Sequence, residues 1–318
     1  MIVKPILRSL IVIAIMILCT SWGFFAHKRI NHVAVFTLPK AMIGFYEANI
    51  DFITAHAVDP DKKRYVDSLE GPRHFFDADH YGKRPFMKVP VKWDDAVKKY
   101  SVDTLHKYGT LPWEIQYQYY RLVDAFKQHD TTRILKTSAN LGHYIADAHV
   151  PLHLTLDYNG QFTHQDGIHA LWETRIPELL SNQYNYYVGK AKYIENPLNE
   201  AFKICRASFK SVDSVLRFER QLDQTFPADE KYEIVKRNGK KITDYSVAYT
   251  KAYNAMLKGM VARRVRASIL ETGSFWYSAW VDAGQPNLNK LIENPLLIPE
   301  KRNIQREQTL YMAGKILN

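Results

Sequence analysis

Cysteine is nearly missing from this 318-residue chain, which has only Cys19 and Cys205. So few thiols exclude a disulfide framework, and cohesion must come from an apolar core, with bound metal as the available supplement. Long hydrophobic runs are missing too. The unbroken apolar stretch Leu10–Leu18 falls far short of the roughly 20 residues that span a bilayer. No repeat, proline-rich linker or low-complexity tract marks a boundary, so one large domain is expected. Acids are outnumbered, 33 against 43 Lys and Arg, for a net charge of +10. That surplus favours anionic partners such as nucleic acid or acidic lipid and specifies no chemistry by itself.

The first 21 residues have their own composition. Lys4 and Arg8 stand without an acid, the apolar run follows, and Cys19-Thr20-Ser21 closes the segment. This order predicts an export signal cleaved after Ser21, and therefore a periplasmic or secreted protein. A membrane anchor and a lipoprotein acceptor at Cys19 are the alternatives. Cleavage leaves Cys205 as the lone thiol, removes two of the ten surplus charges to give +8, and places Trp22 at the amino terminus. Residues 22–285 are then expected to form one domain and 286–318 a tail, with no transmembrane anchor in the mature chain and no stable protein partner.

Helical periodicity dominates what remains. Apolar positions recur at helical spacing over 27–38, from Pro39 to about His56, over Leu111–Gln128 and Thr131–His149, from His169 to before Asn182, and over Pro197–Leu222. Residues 245–282 read as one long helix or a broken pair, with Tyr249, Tyr253, Met256, Met260, Val265, Ile269, Phe275 and Trp280 as core candidates. Asn238-Gly239 between β-branched residues predicts a tight hairpin over 234–243, its basic residues solvating it. Residues 57–90 and 154–168 read as loops, the first long enough to imply function. The expected fold is an all-α, single-domain helix bundle.

Histidines and acids crowd one stretch. Twelve histidines and 33 acids give about one His-x3-acid pair by chance, whereas His143/Asp147, His153/Asp157 and His169/Glu173 all occur between residues 143 and 173. Residues four apart share a helix face, so 143/147 and 169/173 can each clamp a metal. Pro151 ends its helix, leaving His153 free to approach from another direction.

Taken in chain order, Trp22 with His27, Asp59, His74-Phe75-Phe76-Asp77, His143-x3-Asp147-x5-His153 and His169-x3-Glu173 resemble the zinc-dependent phospholipase C family and its relatives, the fungal-type single-strand-specific nucleases. The resemblance spans residues 22 to about 180 closely and the helical region 245–282 more loosely. It implies a helical bundle with an interior site for three zinc ions. Asp59, His74, His143 and Asp147 would hold the first, and His153, His169 and Glu173 the second. The Trp22 amino terminus, His27 and a bridging oxygen of Asp147 would hold the third. It also implies hydrolysis of a phosphodiester by a metal-activated water, with Asp59 orienting that water and Phe75 and Asp77 lining the substrate site. Asp61 is the alternative to Asp59.

The two branches divide the smaller features. Glu173, the short interval from 153 to 169 and the lack of disulfides are similar to the phospholipase branch; the Trp22-Gly23-x3-His27 start and the basic charge are similar to the nuclease branch. Ala146-Asp147 and Val150-Pro151 depart from the Gly-Asp and Gln-Pro of the family pattern. A phospholipase C-like enzyme acting on phospholipid is therefore expected, with a nuclease acting on single-stranded DNA or RNA as the alternative. A non-catalytic protein stapled by zinc is the third reading.

Overall fold

The computed structural model describes residues 24–237, 239–291 and 311–314. Helices make the fold. In chain order come α1 (Phe24–Ala34), α2 (Lys40–Ala48), α3 (Ile50–Ala55) and the one-turn α4 (Asp59–Lys63). Next are α5 (Trp93–Tyr100), α6 (Val102–Lys107), and the long α7 (Leu111–Lys127) and α8 (Thr131–His149). A run here called α9 starts at Ile168–Ala170, passes through a π-helical turn at Leu171–Arg175 and continues as Ile176–Leu180. After α10 (Pro197–Phe209) and α11 (Val212–Asp223), strands β1 (Tyr232–Arg237) and β2 (Lys240–Tyr245) pair antiparallel. Helices α12 (Val247–Met256) and α13 (Met260–Asp282) complete the bundle.

Helix α8 is its axis, packed by α1, α7, α10 and α13. A surface helix buries one stripe, but from Thr137 to His149 this one buries every residue except Asn140. Its ends are set locally. The Asp130 carboxylate caps the Arg133 amide at 2.9 Å, and Pro151 forbids a further turn. Gly142 lets α1 approach closely, because a Cβ there would lie 2.0 Å from Asn31 Oδ1. That crossing brings the His27 ring onto the His143 ring, with centroids 4.1 Å apart.

The hairpin forms over slightly longer strands than expected, with Tyr232 opposite Tyr245 and Arg237 opposite Lys240. Its arginine does more than solvate it. Arg237 pairs with Glu178 at 2.5 Å, and Arg175 with Glu233 at 2.6 Å, docking the hairpin on α9. Residues 245–282 form a broken pair, turned at Gly259, whose φ of +74° suits glycine. Of their core candidates, Met256 and Met260 are partly buried and the other six are buried. Residues 197–222 are not one helix, because the chain breaks at Lys210-Ser211. Residues 57–90 are not structureless either. Helical turns at Asp59–Lys63, Gly71–His74, Ala78–Tyr81 and Pro85–Lys88 follow one another, fastened by bonds such as Phe76 N to His153 O at 2.8 Å.

Cys205 is free and buried on α10. The expected signal, Cys19 and Trp22 lie outside the described residues, as does most of the tail. Of that tail, Tyr311 packs on Phe36 and Tyr187. No helix among the described residues is long and apolar enough to cross a membrane.

Candidate metal centre

Helix α8 supplies the floor. One turn apart on its buried face, His143 and Asp147 point into the same space, their Nε2 and Oδ2 atoms 3.3 Å apart. The His143 ring is fixed from behind, its Nδ1 lying 2.9 Å from the Ala57 carbonyl. From the 71–74 turn, His74 brings Nδ1 to 3.0 Å from both Asp147 Oδ2 and His143 Nε2. The turn at Pro151–Leu154 carries His153 in from the side, and α9 contributes His169 and Glu173, the latter in the π-helical turn. Such turns recur at functional sites because they re-aim a side chain within a helix.

Two carboxylates face both ways. Asp147 Oδ2 meets His74 and His143, while its Oδ1 lies 3.4 Å from His27 Nε2 and 3.8 Å from His153 Nε2. Glu173 Oε1 lies 3.1 Å from His27 Nε2, and its Oε2 lies 2.7 Å from His169 Nε2 and 3.5 Å from His153 Nε2. The result is four overlapping trios whose ligand atoms lie within 4.8 Å of one another: His74/His143/Asp147, His153/His169/Glu173, His27/Asp147/Glu173 and His27/Asp61/His143.

Asp59 is not among them. Its oxygens are taken by His56 at 2.5 Å and Lys62 at 2.9 Å on the outside of α4. Asp61 is the carboxylate of that helix that faces inward, 3.7 Å from His74 Nδ1 and 3.9 Å from His143 Nε2. Residues two apart on a helix point about 200° away from each other, so α4 can present only one of the pair.

Burial makes this gathering costly unless cations or protons compensate it. Burial alone would raise the Glu173 carboxyl, yet His153, His169 and His27 hold its pKa well below the ordinary value. Burial disfavours charge on His74, but Asp147 and Glu70 outweigh it and push its pKa up to about 9. His27 Nδ1 and His74 Nε2 remain buried without a hydrogen-bond partner. Imidazole nitrogens and carboxylate oxygens in overlapping trios are a donor set that fits zinc.

The cluster lies at the bottom of a cavity of about 820 Å³, within the range of small-molecule sites. Phe75 and Asp77 line it, as does Arg64, one turn beyond Asp61. Burial and the neighbouring Asp79 push the Asp77 carboxyl up to about 7. The sequence reading missed Arg64, although the Asp61-x2-Arg64 spacing on a helix was a usable signal. Tyr65 and Tyr158 also line the cavity, and apolar side chains close to each in sequence are exposed: Val66 (87% exposed) and Leu69 after Tyr65, and Phe162 (69%) in the loop that carries Tyr158. Within the 154–168 loop the buried Asp157 carboxylate accepts from Phe162 N at 2.8 Å and Thr163 Oγ1 at 2.7 Å.

The family described as zinc dependent phospholipase C matches residues 26–233 of this chain. No curated protein matches it. Among solved structures, the alpha-toxin of an avian strain of Clostridium perfringens is similar at 12% identity and a TM-score of 0.48, over 84% of this chain and 65% of the toxin chain. This chain therefore spans 65% of that toxin's length.

Proposed function

Because the chain belongs to the zinc-dependent phospholipase C family, we propose that it is an exported enzyme that hydrolyses the phosphodiester of phospholipids, releasing the phosphorylated head group. The observation that carries this reading is the set of overlapping His and carboxylate trios at the floor of an open cavity. A structural zinc staple needs one closed set of four ligands, not several linked open ones.

In this reading Asp61, His74, His143 and Asp147 hold one zinc ion and His153, His169 and Glu173 a second. His27, Asp147 and the amino terminus at Trp22 hold a third once residues 1–21 are removed. Bound zinc supplies Lewis acidity and generates the nucleophile from water near neutral pH. The chain's own groups do the rest. Arg64 offers a positive partner to the phosphate, which orients the diester over the cluster. Asp77, pushed up to about 7 by burial and Asp79, can donate a hydrogen bond to a substrate oxygen from the fraction still protonated near neutral pH. Phe75 supplies an apolar wall.

We take the exposed side chains that neighbour Tyr65 and Tyr158 in sequence as the rim of the cavity, and they favour phospholipid over nucleic acid. Val66 and Leu69 are exposed aliphatic side chains that cannot stack on bases, whereas an acyl-chain surface buries them. The exposed Lys62 and Lys63 beside them suit the phosphate layer. A nuclease would use the same cluster, and the charge of +8 left by removing Lys4 and Arg8 with residues 1–21 agrees with that second reading.

The test is to incubate zinc-loaded protein beginning at Trp22 with phosphatidylcholine vesicles, single-stranded DNA and RNA, each with and without chelator. Chelator-sensitive release of phosphocholine is expected. Turnover of nucleic acid alone would move the assignment to the nuclease branch, and no chelator-sensitive turnover of either would leave the staple.

A further inference from the structure

The inner nitrogens of the five imidazoles point into the cluster, so each ring has an outer nitrogen that decides its tautomer. His143 Nδ1 lies 2.9 Å from the Ala57 carbonyl and His169 Nδ1 3.1 Å from the Tyr158 carbonyl. These backbone acceptors hold a proton on the outer nitrogen and leave the inner lone pair free. His74 is different. Its inner atom is Nδ1, and its outer Nε2 is buried without a hydrogen-bond partner. The group that faces this atom is the carboxylate of Glu70, with Oε1 3.7 Å away.

Glu70 is fully buried. A carboxylate pays a large desolvation cost in such a place and persists only when its neighbours hold it. The Tyr144 hydroxyl donates to its Oε1, and Arg73 Nη1 lies 2.9 Å from its Oε2. Arg73 is shared with a second buried acid, Glu114, whose oxygen is 3.5 Å from Arg73 Nε and which also accepts from Gln118 at 2.6 Å. Two carboxylates thus share one guanidinium, and the surplus negative charge faces His74.

We propose that Glu70 is the positioning residue of the metal centre: it accepts a hydrogen bond from His74 Nε2 when His74 Nδ1 binds a cation, fixing the tautomer and the ring. This rests on the zinc-centre reading above. Nδ1 faces Asp147 Oδ2 at 3.0 Å inside the cluster, so Nε2 is the nitrogen left to Glu70. A cation held at Nδ1 would leave Nε2 as the one N–H of the ring. Closing the 3.7 Å gap by about 0.8 Å then makes an ordinary hydrogen bond. Tyr144, next to the floor residue His143, keeps Glu70 from turning away.

The test uses zinc affinity and the absorption spectrum of the cobalt(II)-substituted protein, neither of which needs turnover. Glu70→Gln keeps the shape and removes the charge, so zinc should bind about 10–100-fold more weakly and the cobalt spectrum should shift. Tyr144→Phe leaves the carboxylate in place but frees it, and should show a smaller loss in the same direction. A purely structural Glu70 would lower the melting temperature of metal-free protein and leave affinity and spectrum of the folded variant unchanged; that result overturns the proposal. If Glu70→Gln does not fold, unchanged affinity and spectrum in Tyr144→Phe overturn it equally. Failure of the parent protein to bind zinc would instead refute the metal-centre reading itself.

Discussion

Replacing Asp59 and Asp61 by asparagine, one at a time, separates two carboxylates that sit within one turn of helix. Asp59 is partly exposed and engaged by His56 and Lys62 on the outer side. Losing such a pair costs about 0.2–1 kcal/mol of stability and should leave zinc uptake unaltered. Asp61 Oδ1 lies within 4 Å of both His74 and His143. Asparagine there withdraws a negative charge from the space those rings share. Loss of a mere supporting partner weakens metal binding about 10–100-fold, or roughly 1.4–2.7 kcal/mol, and a direct ligand should cost at least that. Competition against a fluorescent zinc chelator measures the affinity, and phosphocholine release at limiting zinc measures the consequence. If Asp59→Asn loses zinc while Asp61→Asn binds like the parent, helix α4 docks by its other face and the assignment of Asp61 is wrong.

Gly142→Ala puts a methyl 2.0 Å from Asn31 Oδ1, and the overpacking should cost about 1–3 kcal/mol despite alanine's better helix propensity; an unchanged melting temperature would refute the tight crossing. Glu271 has its pKa pushed up to about 7 by burial and by Glu200. The folded chain therefore holds this proton more tightly than the unfolded one, and that stability is whole below about pH 4.5 and is lost as pH rises through 7. Glu271→Gln should match the parent at pH 4.5 and exceed it by about 1–2 kcal/mol at pH 8, allowing for partial exposure; parallel stability curves would contradict this. Zinc at about 100 times its Kd should stabilise the fold by roughly 2.7 kcal/mol per ion, read as a rise in melting temperature that chelator reverses. Replacing Val66 and Phe162 together by serine should weaken binding to phosphatidylcholine vesicles about tenfold or more and affect hydrolysis of a dispersed short-chain substrate less; equal vesicle binding would exclude the rim from lipid contact.

The parts of this molecule legible in its sequence are those governed by local geometry. Four-residue spacing put His143 with Asp147 and His169 with Glu173, and Pro151 announced the turn that carries His153 inward. What was hidden depends on docking. Asp59 and Asp61 are equivalent as letters, and only the packing of α4 against α8 decides which one turns inward. The 57–90 region shows no periodicity because its short turns are held by distant partners, such as the Pro72 carbonyl accepting from Thr110 at 2.7 Å. The break at Lys210-Ser211 carries neither glycine nor proline. No spacing or motif singles out Glu70 or Tyr144, and only the fold puts them behind His74.

Asp147 and Glu173 each serve two sets of neighbours with their two oxygens, and in the proposed zinc centre this would make cation uptake a collective event. Once one oxygen is engaged, the carboxyl plane is locked and the other is already aimed, so each arrival prepares the next and each departure loosens what stays behind. Loading should follow a steep curve with few half-filled molecules, and substituting a single donor at this junction should empty more than one position.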